Sequence, residues 1–158
     1  MNRKTVDIYE YMALLRELTE QGKEVSLLLT GNSMVPFLCD QRDYIFFRKP
    51  DRPLRKGDMV FYRRSGGRYV MHRICRVCPD GSFDLVGDGQ WVIEHGVRQE
   101  QIFGLITKVR RKGKLLTDGD FLWEFFRVIW IRLIPLRSPL MRLYTGLRKI
   151  FCRRREKI

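Results

Sequence analysis

The sequence predicts a mainly β protein with an antiparallel, meandering sheet system, a helix in front of it and basic amphipathic helices behind it. Three observations carry that reading. Residues 25–114 hold short apolar runs punctuated by Gly, Asp and Pro, the pattern of short strands joined by tight turns. Residues 5–21 place apolar side chains at helical spacing. After residue 116 the composition turns apolar, aromatic and arginine-rich. The corresponding divisions are an N-terminal helix at 1–24, a β domain at 25–116 and a basic helical tail at 117–158.

Taken in order, Ile8, Tyr11, Met12, Leu15 and Leu18 form one apolar stripe. Thr5 is placed to cap this helix and Gly22 to end it. The helix is expected to pack on the domain, because its polar face mixes both charge signs and suits an acidic membrane poorly. Strands are expected at 25–29, 44–47, 59–62, 69–77, 83–86 and 102–109. The turns between them include Ser65-Gly66-Gly67, Pro79-Asp80-Gly81 and a further one at residues 111–114. Glu94-His95-Gly96 reads as a turn with His95 exposed. In the tail, Leu140, Leu143, Tyr144, Leu147, Ile150 and Phe151 share one helical face, with Arg142, Arg148, Lys149 and Arg153 around the rest.

A chain of 158 residues suffices for one domain with a real core. The net charge of +13 implies an anionic partner. Residues 121–136 are too few to span a bilayer, and each of Arg127 and Arg132 would cost roughly 2.5–3.5 kcal/mol at its centre. A basic helix carrying Trp123, Trp130 and several Phe suits the membrane interface instead. Packing on the sheet and nucleic-acid binding are the competing uses. The four cysteines, Cys39, Cys75, Cys78 and Cys152, are too sparse for a secreted disulfide scaffold and are read as reduced. No secretory signal is visible, which favours the cytoplasmic face of a membrane.

The chemistry centres on Gly31-Asn32-Ser33-Met34-Val35-Pro36, which follows an apolar strand. Gly31 supplies a turn conformation other residues reach only with strain, and Pro36 fixes its own φ. A hydroxyl on such a turn is a nucleophile when a base lies near it. There are two histidines, His72 and His95. Strand alternation groups His72 with Val70 and Ile74 on one face, which fits a structural histidine as well as a base. Asp88, in Gly87-Asp88-Gly89, is the candidate to orient His72, or else it supports its turn. Asp58 in Lys56-Gly57-Asp58 faces the same choice. His72, Cys75 and Cys78 have metal-ligand spacing, but a continuous strand turns Cys75 away from the other two, so no metal is assigned.

Four stretches together resemble the successive boxes of type I signal peptidases and their LexA-like self-cleaving relatives. They are Gly31-Asn32-Ser33-Met34-Val35-Pro36, Lys56-Gly57-Asp58-Met59-Val60, Tyr69-Val70-Met71-His72-Arg73-Ile74 and Gly87-Asp88-Gly89. The resemblance implies coiled antiparallel β-sheets. It implies Ser33 as nucleophile and, because Met71-His72-Arg73-Ile74 is similar to the histidine-type box of the endoplasmic-reticulum and sporulation branch, His72 as base with Asp88 completing the site. Gly31 stands where some signal peptidases carry an oxyanion serine, so the Ser33 backbone N–H, with Thr30 or Asn32 nearby, is the implied oxyanion donor. Met34 and Pro36 are the candidate substrate contacts. No transmembrane helix precedes the Ser33 box, and no self-cleavage linker or DNA-binding domain is evident.

The function expected from the resemblance is a signal-peptidase-like serine endopeptidase, free of cofactors, that cleaves peptide or preprotein substrates at an anionic membrane surface. The resemblance further implies small side chains before the cut and extended substrate backbone added to a strand edge. The alternative is a catalytically inactive peptide- or membrane-binding module of the same fold.

Overall fold

The computed structural model describes residues 8–155 of the chain, with side chains over 9–147. The predicted Thr5 cap lies outside the described residues. Helix α1, Ile8–Glu20, buries Met12 and Leu15 and packs against strands β1, Val25–Leu28, and β7, Ile102–Arg111. The remaining strands are β2, Tyr44–Arg48; β3, Met59–Arg63; β4, Tyr69–Val77; β5, Phe83–Val86; β6, Glu94–Val97; and β8, Lys114–Thr117.

All pairings are antiparallel, in the order β1-β2-β7-β3-β4-β5-β6, with β8 on β7. β7 is the hub. It pairs with β2 on one side; on the other, its first half pairs with β3 and its second half turns back to β8. Bulges interrupt the register at Phe46/Phe47, Phe61/Tyr62 and Ile74/Arg76. Such bulges bend strands and sharpen their twist, which lets one sheet coil around more than one core. One core holds Met34, Phe37, Phe47, Phe61, Met71 and Phe103 under α1 and the tail. A second holds Val60, Tyr62, Ile74, Phe83, Leu85 and Leu105, and a small third one joins Cys75, Val86 and Ile131.

Two strands escape the sequence reading. Glu94-His95-Gly96 is not a turn but the start of β6, and residues 111–114 form the turn into β8. His95 is exposed, as expected, and its Nδ1 lies 3.1 Å from Asp84.

The tail begins with a short helix α2, Phe121–Glu124, continues through a π-helical turn, Phe125–Ile129, and a 3-10 stretch, Trp130–Leu136, and ends in α3, Arg137–Arg155. Trp123, Phe126 and Trp130 are buried in the first core, where Phe37 meets the rings of Trp123 and Phe126 at 6.1 and 4.8 Å. The two tryptophans expected at a membrane interface are therefore spent on the sheet. Among the described residues no helix is long and apolar enough to cross a membrane.

Candidate active site

The strand β1 and Leu29 lead into a turn that carries Ser33. Gly31 takes φ +92°, the left-handed conformation the sequence foretells, and its N–H donates to Asp40 Oδ1 at 2.8 Å. The side chains after Ser33 turn inward: Met34, Val35, Phe37 and Leu38 are all buried, with Met34 at 1 % exposure. Met34 is thus a core residue that anchors the turn, not a surface for substrate. Pro36 follows a cis Val35-Pro36 bond, and its carbonyl accepts from Arg111 Nη2 at 3.4 Å.

The Gly87-Asp88-Gly89 loop lies directly against this turn. The Gly89 N–H donates to the Ser33 carbonyl at 2.8 Å. A Cβ on Gly87 would sit 2.5 Å from the Ser33 carbonyl oxygen, and one on Gly89 would sit 2.6 Å from that of Val35. Both glycines exist because two backbones touch here. The tail holds the loop from the other side. Trp130 Nε1 donates to the Asp88 carbonyl at 2.7 Å, and Arg137 Nη1 donates to the carbonyls of Gly87 and Gln90 at 2.8 and 3.1 Å. Arg137 is fully buried and its guanidinium lies 5.5 Å from the Trp130 ring centre. Burial depresses its pKa, with Asp88 opposing.

His72 reaches the same place from β4. It is 3 % exposed and lies on the strand face of Val70 and Ile74. Ser33 and His72 line one cavity of about 420 Å³ together with Thr30, Gly31, Asn32 and Gln90. The Ser33 hydroxyl holds no hydrogen bond among the described residues. Ser33 and His72 thus share access to one cavity, with no hydrogen bond between them among the described residues. A second cavity, about 580 Å³, is also lined by His72 and is walled by Trp91, Val92 and Ile93.

The imidazole is held by groups the sequence reading did not select. Its Nδ1 lies 3.1 Å from the Tyr62 oxygen, and the Tyr62 hydroxyl donates to Glu94 Oε2 at 2.6 Å. Glu94 also accepts from Arg64 Nε and Nη2 at 2.9 and 2.7 Å. Burial, then the Arg64 charge, pushes the His72 pKa from 6.5 down to about 4, against Glu94 and Asp88. The ring is therefore neutral at neutral pH. Burial pulls Glu94 upward, yet the hydrogen bonds from Arg64 and Tyr62 prevail and hold its carboxyl below the ordinary range.

Asp88 has a different partner from the one expected. Its two oxygens accept from Arg73 Nε and Nη2 at 2.9 and 2.8 Å, and both side chains are fully buried. Arg73 Nη1 also donates to the Gly57 carbonyl at 2.9 Å, and its guanidinium lies 5.4 Å from the Phe37 ring centre. Asp88 influences His72 only through its charge. Asp58 anchors its own turn, accepting from Arg52 Nη1 and the Arg55 backbone at 2.8 and 3.0 Å. Cys75 packs with Val86 and Ile131, and among the described residues no group of His, Cys, Asp and Glu is arranged to hold a metal.

No protein-family model, no curated protein and no solved structure matches this chain.

Proposed function

We propose that the chain is a serine endopeptidase of the signal-peptidase type, with Ser33 as nucleophile and His72 as base. The observation that carries this reading is the shared cavity, in which a turn-borne serine and a buried neutral histidine face the same space. Ser33 Oγ attacks the scissile carbonyl while its proton passes to His72. The imidazolium then returns that proton to the leaving amine as the C–N bond breaks, and water hydrolyses the acyl-enzyme with His72 again acting as base. The exposed Thr30-Gly31-Asn32 backbone borders the cavity where the oxyanion would form.

An extended peptide fits the strand edge beside the cavity. β5 pairs with β4 only from Arg73 onward, so Tyr69 to His72 are bonded to β3 on one side alone. A substrate strand added there would run its backbone past His72 toward Ser33. A membrane surface is the setting favoured by the tail. Phe121, Ile129, Leu136, Leu143 and Leu147 are exposed alongside Arg132 and Arg142, an apolar and basic mixture suited to anionic lipid.

A fluorophosphonate probe tests the reading. Ser33 should be labelled in the wild type, and Ser33→Ala should remove the label. His72→Ala should slow labelling by about a hundredfold or more, the usual worth of a general base. Undiminished labelling in Ser33→Ala would put the reactive residue elsewhere, and none in the folded wild type would leave a peptide-binding module without chemistry.

A further inference from the structure

We infer that Tyr62 and Glu94 are the positioning residues of His72, fixing its tautomer so that Nδ1 carries the proton and Nε2 the lone pair. The tautomer follows from a count of protons. Glu94 is held ionised by Arg64, so its oxygens can only accept. The single proton of Tyr62 must then point at Glu94 Oε2, 2.6 Å away. That leaves the phenol oxygen with acceptor capacity alone, and the imidazole nitrogen 3.1 Å from it has to be the donor. A neutral imidazole has one N–H. With Nδ1 protonated, Nε2 is left as the nitrogen able to take a proton.

The same chain of bonds serves the charged form. When Nε2 gains a proton, Nδ1–H remains bonded to a phenol oxygen whose own proton leans on a carboxylate, so negative charge is passed toward the ring. Tyr62 stays protonated throughout, since burial and then the Glu94 carboxylate drive its pKa well above the ordinary value. Asp88 does not take this part: its oxygens are bonded to Arg73, and among the described residues no hydrogen bond joins it to His72. The charged groups acting on the ring are Arg64, which disfavours its protonation, and Glu94 and Asp88, which favour it.

The catalytic meaning of this relay rests on the peptidase reading; the tautomer does not. Long-range ¹H–¹⁵N spectra of the full chain report the tautomer directly, with His72→Ala assigning the ring against His95. The wild type should show protonated Nδ1. Tyr62→Phe removes the acceptor with little change of shape; it should move the proton to Nε2 and slow fluorophosphonate labelling of Ser33 by at least about tenfold. Glu94→Gln, as a second variant, should lower the pKa at which His72 titrates. A wild-type ring protonated on Nε2 overturns the inference. So does a folded Tyr62→Phe protein that keeps both tautomer and labelling rate, or an unchanged titration in Glu94→Gln. A wild type with the Nδ1–H tautomer but no labelling supports the relay and sinks the peptidase.

Discussion

At the scale of single residues, His72 ties stability to pH. Its folded pKa, about 4, lies below the ordinary 6.5. As pH falls below 6.5 an unfolded chain takes up a proton that the folded chain refuses, so stability drops until about pH 4 and then levels. The shift corresponds to about 3 kcal/mol lost across that window. Glu94, also held low, adds to the acid loss. Urea denaturation at pH 7 and pH 4.5 should show the fall, and His72→Gln should show a smaller one; equal falls would refute this account. The strand alternation that placed His72 on the face of Val70 and Ile74 also places Met71, Arg73 and Cys75 on the other, and those three are buried too. An arginine on a strand with two buried faces needs a buried carboxylate. That signal, Arg73 seeking Asp88, was present in the sequence beside the more conspicuous histidine. Tyr62 and Glu94 were not legible, because their meeting depends on β6, which the Glu94-His95-Gly96 stretch disguised as a turn.

At the scale of elements, the Ser33 turn and the Gly87–Gln90 loop act as one unit. Gly87→Ala and Gly89→Ala each drive a Cβ against a backbone oxygen that cannot step aside. Each should destabilise the fold by about 1–3 kcal/mol and reduce Ser33 labelling out of proportion to that loss. Thermal melts beside labelling rates separate the two effects. The turn and strand signals in residues 25–114 were readable because Gly, Asp and Pro punctuate them locally. The tail was not readable in the same way. An apolar, aromatic, arginine-bearing helix suits a lipid interface and a protein groove equally, and only the partner decides. Here Phe37 receives Trp123 and Phe126, and three backbone carbonyls receive Arg137.

At the scale of the molecule, the tail divides into an inner part that belongs to the core and an outer part that does not. A chain ending at residue 120 loses Trp123, Phe126 and Trp130, and deleting even one such buried aromatic costs about 3–5 kcal/mol. That chain should fail to melt cooperatively. A chain ending at residue 147 keeps Arg137 and should retain its melting transition and its Ser33 labelling. Vesicle flotation is therefore best compared between the full chain and the chain ending at 147, with anionic and neutral lipid; weaker flotation of the shorter chain on anionic vesicles is expected. The hold of Arg137 on the Gly87 and Gln90 carbonyls has a further consequence, one of timing. The residues that line the cavity are synthesised early and the side chain that braces them is synthesised late. On the ribosome, the Ser33 turn would wait for residue 137 to emerge before its supporting loop is locked, so a nascent chain would hold that turn in an unfinished setting until then.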